Sequence, residues 1–443
     1  MGSEWRSITI GDLVKSGEAI VQTGPFGSQL HSYDYVTNGI AVIPTEAIGR
    51  GRILDVPVPQ VTADKAAELA RHRLSIGDIL FARRGAQATG LSAIVDERYE
   101  GALCGTGALL LRVQSKRVDT QFLAMYLSSE EAFSWLRTHA VGAVMPNINT
   151  DIIKTLPICL PSIEEQRALA SFLGAIDERV CLLRETNATQ EAIAQALFKS
   201  WFVDFDPVRA KQAGLAPNGM DEDTAALFPD AFEESVLGLV PNGWKQMPLM
   251  DAFEFNPSRP LKKGTLAPYL DMASVATSGH RTDVPIQREL GSGTKFRNGD
   301  TLLARITPCL ENGKAAFVDF LEDDQIGWGS TEFLVLRPKG SLPDYFAYLL
   351  CKHQPFLDFA VQSMVGTSGR QRIQNEALGR YPIVVPSDSV AQAFGRLVSA
   401  VQSSIAANDG QAQTLAALRD TLLPHLISGK LRLPDVLKPA ECH

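Results

Sequence analysis

A chain of 443 residues exceeds what one hydrophobic core ordinarily organises, so two or more domains are expected. Its 45% hydrophobic and 21% charged residues are those of a globular protein, and no apolar run approaches the roughly 18 residues that a membrane helix needs. A formal net charge of −8 argues against a protein that coats nucleic acid indiscriminately, which would be basic.

The amino terminus, Met1-Gly2-Ser3-Glu4-Trp5-Arg6, lacks the charged-then-apolar pattern of a signal peptide, so a cytoplasmic protein with no membrane partner is expected. Cys104, Cys159, Cys181, Cys309, Cys351 and Cys442 are scattered without metal-ligand spacing, which suggests buried thiols and neither a zinc site nor a disulfide framework. Along the first half, short β-prone runs at 40–44, 79–82 and 108–113 are punctuated by Gly and Pro, and a helix is expected over 122–135. An α+β domain follows from this mixture.

Segments then recur. Gly77-Asp78-Ile79-Leu80-Phe81-Ala82-Arg83 returns as Gly299-Asp300-Thr301-Leu302-Leu303-Ala304-Arg305, and Leu109-Leu110-Leu111-Arg112 as Leu334-Val335-Leu336-Arg337. Phe122-Leu123-Ala124-Met125-Tyr126-Leu127 matches Tyr345-Phe346-Ala347-Tyr348-Leu349-Leu350. Both halves open alike, on Trp5-Arg6 and Trp244-Lys245, and both reach a paired proline, Pro157 to Pro161 and Pro382 to Pro386. The chain is one unit written twice.

Each proline pair introduces a long helix. Ser162 followed by Glu165 is a capping box, which satisfies backbone donors orphaned at a helix start and predicts a helix from Ser162 to about Phe202. Its apolar seam runs Leu169, Leu173, Ile176, Val180 and Leu183, passes through Asn187 and Gln190, and resumes at Ala194, Leu197 and Trp201. Shifting by 221 places the second seam at Val390, Phe394, Leu397, Val401, Ser404, Asn408, Gln411, Leu415, Leu418 and Leu422, one register throughout. The second helix is expected to be shorter at its start by about one turn, because Pro386 lies closer to its first seam residue than Pro161 does. The matched amides Asn187 and Asn408 either face solvent or pair across the two helices and fix register and orientation. A helix of this length is roughly 60 Å long, a spacer.

The halves meet in a joint rich in turn residues and acids: residues 211–240 hold one basic residue, Lys211, against six acids. It reads as a surface linker. The segments are therefore 1–158, a first globular domain; 159–205, a spacer helix; 206–242, an acidic linker; 243–385, a second domain; 386–430, a second helix; and 431–443, a tail.

A catalytic constellation is not found. Asn256-Pro257-Ser258-Arg259 is a poor match to a methyltransferase motif, Gly291-Ser292-Gly293-Thr294-Lys295 is too short for a phosphate loop, and Gly366-Thr367-Ser368-Gly369 is not a nucleophile elbow. No catalytic residue, metal or cofactor is expected. Basic and amide residues cluster instead in the globular halves: Arg50 and Arg52, Arg71 and Arg73, Arg83, Arg84 and Gln87 in the first, then Arg259, Lys262 and Lys263, Lys295 and Arg297, and Arg370, Gln371 and Arg372 in the second. A single exposed arginine is ordinary surface charge. As groups they fit DNA, since Arg and Gln suit the edges of guanine and adenine and Lys suits phosphates.

The chain resembles the DNA specificity subunits of type I restriction-modification systems. The resemblance rests on Thr23-Gly24-Pro25-Phe26-Gly27-Ser28, Gly77-Asp78-Ile79-Leu80, Leu160-Pro161-Ser162-Ile163-Glu164-Glu165-Gln166, Leu197-Phe198-Lys199-Ser200-Trp201-Phe202-Val203-Asp204-Phe205, and Leu418 through Gly429. The second proline motif departs, continuing as Ser387-Asp388-Ser389-Val390 without Glu-Gln. The resemblance implies an α+β fold: two mixed α/β target-recognition domains separated by two long antiparallel coiled-coil-like spacer helices, a pseudo-twofold internal repeat. It further implies double-stranded DNA, two DNA methyltransferase (modification) subunits and restriction/translocase subunits as partners, with catalysis in those other chains. A specificity chain serving a fused methyltransferase-nuclease of type II, or a methylation-only system, would share these residues.

Overall fold

The computed structural model describes residues 5–433 apart from 86, 143–145, 237, 281 and 368; Cys442 and most of the expected tail lie outside the described residues. The chain divides into two compact units. Unit 1 comprises residues 1–180 and 414–443, and unit 2 residues 181–413.

In unit 1 the main sheet contains β1 (Ala19–Thr23), β2 (Ile79–Ala82), β3 (Ser92–Ile94) and β4 (Ala108–Val113) in the order β1-β4-β2-β3, antiparallel, with Gly51–Arg52 added parallel at the β3 edge. The continuous apolar run of β2 is explained by burial on both faces. Ile79 and Phe81 enter one core with Leu109, Leu111 and Phe122, while Leu80 and Ala82 enter another with Ile43, Ala108 and Leu110.

Unit 2 repeats the design. Strands β5 (Phe253–Phe255), β6 (Thr301–Ala304), β7 (Ala315–Phe317) and β8 (Phe333–Pro338) lie in the order β5-β8-β6-β7. Each unit adds a small sheet around one parallel pair, Ile40–Ile43 with Leu103–Cys104 and Leu266–Leu270 with Gly327–Gly329. Each also ties its opening strand to its proline strand, Arg6–Thr9 to Pro157–Leu160 and Lys245–Pro248 to Pro382–Val385.

The two long helices are α1 (Ile163–Phe202) and α2 (Asp388–Ile427), each of 40 residues. The Ser162 hydroxyl accepts the Glu165 amide at 3.2 Å, as the cap predicts. Gln166, fully buried, donates to the carbonyls of Arg117 and Pro161 and accepts the Asp119 amide, fastening the start of α1 to its domain. In α2, which lacks that glutamine, Asp388 accepts the Ser341 hydroxyl at 2.6 Å. At an offset of 221, α2 starts one turn later than α1, as expected, and ends one turn later too, so it is not the shorter helix.

Within unit 1, Leu169 and Leu173 of α1 share a core with Leu422, Leu423 and Leu426 of α2, and Asp177 pairs with Arg419. Within unit 2, Asn187 faces Asn408 and Trp201 faces Phe394. In both, the helix segments run antiparallel.

The seam of α1 is buried from Leu169 to Leu183 and at Ala194 and Trp201, with Asn187, Gln190 and Leu197 half-buried, but that of α2 departs further from its reading. Phe394, Val401, Asn408, Leu415 and Leu422 stand on it, yet Leu397 and Leu418 are 44% and 45% exposed and Gln411 is exposed. The line buried instead is Val398, Ile405 and Ala412, each one residue further on. Transferring the register by offset would have buried Ser404 and Gln411; turning the helix to bury Ile405 and Ala412 removes apolar surface from water without burying those polar groups.

The acidic joint is folded. Phe205, Val208, Phe228 and Val240 lie in the main core of unit 2 with Trp201, Phe202 and Trp244, and ring centroids there approach to 4.9 Å between Trp201 and Phe228. Aromatic residues among the acids hold it down, each burying enough area to contribute about 1.5–3 kcal/mol.

Candidate nucleic-acid interface

The Gly-Asp motif of each half builds a lock under the sheet. Gly77 and Gly299 adopt φ of 86° and 87°, which a side chain would resist, and Asp78 and Asp300 then turn back to accept the amides of Ser75 and Arg297 at 2.8 and 2.9 Å. Asp78 also takes Arg112 through two nitrogens at 2.6 and 2.8 Å, and Asp300 takes Arg337 at 2.9 Å. Both carboxylates are buried, and unit 2 supplies a second cation: Arg259 donates to Asp300 at 2.7 Å with its side chain only 9% exposed. Arg259 is thus a scaffold residue rather than a surface DNA contact, its charge already consumed by a buried carboxylate.

Other candidates are similarly occupied. Arg50 pairs with Glu130 at 2.7 Å, donates to the Ser128 carbonyl and lies over the Phe133 ring. Lys295 donates to the Leu261 carbonyl at 2.6 Å, and Arg71 to His72 at 2.9 Å. Arg73 lends its carbonyl to Arg112 and Arg297 its amide to Asp300, so the backbone of both belongs to the lock while their side chains are exposed. Arg52 is exposed on the edge strand of unit 1, and Lys262 and Lys263 are exposed on the loop after Arg259.

The remaining candidates gather at one place in each unit. Past the end of β2, Arg84 bridges Asn147, which bridges Val141. Past the end of β6, Ile306 bridges Arg372, which bridges Val365. Each unit thereby extends its central strand by a rim of three bridged segments. In unit 1 the rim carries Arg83, whose Nε donates to Asn147 Oδ1 at 3.0 Å, with Arg84 and Gln87 exposed. In unit 2, Arg305 donates to the Ile373 carbonyl at 2.8 Å, Arg370 is exposed, Gln371 exchanges bonds with Thr307, and Arg372 meets Glu332.

Between Arg84 and Thr45 in unit 1 lies a cavity of about 250 Å³, also bounded by Glu46, Gly85 and Gly107. Arg83 donates its amide to the Gly107 carbonyl, and Arg305 donates likewise to Glu332, so Gly107 and Glu332 occupy the same position in the two rims. A Cβ at Gly107 would meet the Thr45 hydroxyl, so unit 1 has no room there for the carboxylate that unit 2 holds. Asn147, Glu332 and Arg305 were not singled out from the sequence; the repeated Ala-Arg ending of the Gly-Asp motif was the available signal for Arg305. Among the described residues no group of acids, His and Cys could hold a metal, and no helix is long and apolar enough to cross a membrane.

Comparison with known proteins points one way. Residues 2–192 match the model of the type I restriction modification DNA specificity domain. The chain is 23% identical over 411 residues to the Type I restriction enzyme HindI specificity subunit of Haemophilus influenzae, covering 82% of this chain and 88% of that one. It is 22% identical to the MjaIX specificity subunit of Methanocaldococcus jannaschii, covering 72% and 71%. In fold it is similar to the type I restriction-modification S subunit from M. genitalium, with a TM-score of 0.54 at 16% identity over 95% of this chain and 96% of that one.

Proposed function

The chain belongs to the family of type I restriction-modification DNA specificity subunits, and from that premise we propose that units 1 and 2 each read one half of a split site in double-stranded DNA. The observation that carries this reading is the pair of rims: the same backbone construction at the end of the same strand, furnished with different side chains. A single symmetric reader would need no such difference. Arg83, Arg84, Asn147 and Gln87 would face one half-site, and Arg305, Arg370, Gln371 and Arg372 the other, Arg and amide groups matching guanine and adenine edges in the major groove.

The paired helices serve as a ruler for the unread base pairs between the half-sites and as the docking surface for two DNA methyltransferase (modification) subunits, which restriction/translocase subunits join. Methyl transfer and cleavage belong to those chains, and the assembly works in the cytoplasm. Near-balanced charge in the globular segments 1–158, with 15 basic and 16 acidic residues, and 243–385, with 16 and 15, suits this division, because the partners can supply much of the phosphate attraction while the specificity chain supplies sequence.

The ruler is tested by lengthening both helices together. Seven residues added to each keep the heptad and add about 10 Å, close to three base pairs at about 3.4 Å each. Mapping methylated bases in a host expressing the chain with its modification subunits should show a longer gap between unchanged half-sites. Altered half-sites with the old gap would overturn it.

A further inference from the structure

Resting on that reading, we propose that Arg372 reads a guanine in the half-site taken by unit 2, and that Glu332 is the residue that aims it. Arg372 presents its side edge to the carboxylate, Nε at 2.9 and 3.0 Å from the two oxygens and Nη2 at 2.6 Å from one. Its end edge, Nη1 with the outer hydrogen of Nη2, is not used in those bonds, the side chain is 44% exposed, and that fork fits guanine O6 and N7. Glu332 is itself fixed, since its amide donates to Ser330 Oγ at 3.1 Å and its carbonyl accepts the Arg305 amide at 2.9 Å. A guanidinium held in advance loses less rotamer freedom when it meets a base edge.

Structural need does not explain the pair. The loop is already tied by backbone bonds between Val365 and Arg372 in both directions, by Ile373 to Arg305, and by Gln371 to Thr307. An ion pair whose side chains are 44% and 23% exposed adds little to that. Phosphate anchoring does not explain it either. A carboxylate beside the arginine offsets its charge and repels phosphate oxygens, whereas a base edge reads donor geometry rather than net charge. Unit 1 gives the contrast, with Asn147 and Gly107 at the positions of Arg372 and Glu332 and no such pair.

The experiment maps methylated sites in a host expressing the full chain with its cognate modification subunits, comparing the natural chain with Arg372→Ala, Arg372→Lys, Glu332→Ala and Glu332→Gln. The expected result is a G·C pair in one half-site whose discrimination falls about ten- to a hundredfold in Arg372→Ala, with the other half-site and the gap unchanged. Lysine should not restore it, because a single ammonium cannot make the fork. Glu332→Ala should relax the same position to a smaller degree. Relaxation in the other half-site, a partial loss that is equal over all sites, or methylation with no relaxed position would overturn the proposal. Should Arg372→Ala abolish methylation outright, Glu332→Gln decides: relaxation at one G·C position supports the proposal and unchanged specificity overturns it. A natural chain that directs no split-site methylation would instead overturn the reading of function.

Discussion

Units 1 and 2 share strand order, the parallel pair in the small sheet and the Gly-Asp lock, yet they differ wherever side chains leave the scaffold. Asp78 serves one arginine and Asp300 two; one rim holds a glycine and a cavity, the other a carboxylate and its arginine. Unit 2 carries a hydrogen-bonded chain Tyr345–His280–Asp319–Gln402, buried at Tyr345 and His280, which reaches α2. A repeated backbone can therefore be kept for stability while its exposed end diversifies. What distinguishes the units in recognition should be separable by mutation from what they share.

The lock should show the largest effect. Removing Asp300 leaves Arg259 without its carboxylate in a buried setting, while Arg337 keeps Asp344 at 3.2 Å, and Asp300→Ala is expected to destabilise by about 3–5 kcal/mol in denaturant unfolding. Asp78→Ala should cost less, because Arg112 is 27% exposed and can reach water. Arg259→Ala should lower stability while leaving the methylated sequence unchanged. Equal costs for the two aspartates would mean that the second arginine adds nothing, and a changed sequence in Arg259→Ala would return that residue to the interface.

The seam comes next. Ile405 is 3% exposed and Leu397 44%, although transferring the α1 register to α2 assigns the seam to Leu397 and not to Ile405. Ile405→Ala is expected to cost about 2–4 kcal/mol and Leu397→Ala under about 1. The reverse order, read in thermal unfolding of the full chain, would restore the transferred register.

Much of the scaffold was legible because its signals are local. A proline pair and a serine cap fix where α1 begins, an apolar run of four marks a strand buried on both faces, and Asn187 with Asn408 stand at one offset and do hydrogen-bond at 2.9 Å. The register of α2 departs at Leu397, Gln411 and Leu418 because burial of Val398, Ile405 and Ala412 turns the helix away from the register of its repeat. The candidate interface was legible only as clusters. Arg259 and Arg372 look alike in the sequence, and only the fold shows one sunk against Asp300 and the other on a rim beside Glu332. Those partners lie 41 and 40 residues away, beyond any local pattern.

The smallest expected effect concerns an ion pair that unit 1 keeps at its surface. Hydrogen bonds from Arg117, Ser16 and Ser115 hold the Glu18 carboxyl down at about 2, below its usual range. A carboxylate depressed in the folded state contributes stability above its ordinary pKa and loses that contribution as pH falls through the folded value. The contribution of Glu18 is therefore complete above about pH 4.5 and disappears toward pH 2. Because the pair is surface-exposed and screened by salt, Glu18→Gln should lower the melting temperature slightly at neutral pH, by an amount that shrinks in high salt and vanishes at acid pH. A difference from the natural chain that persisted unchanged at pH 2 would mean that packing of the side chain, and not its charge, is what unit 1 uses there.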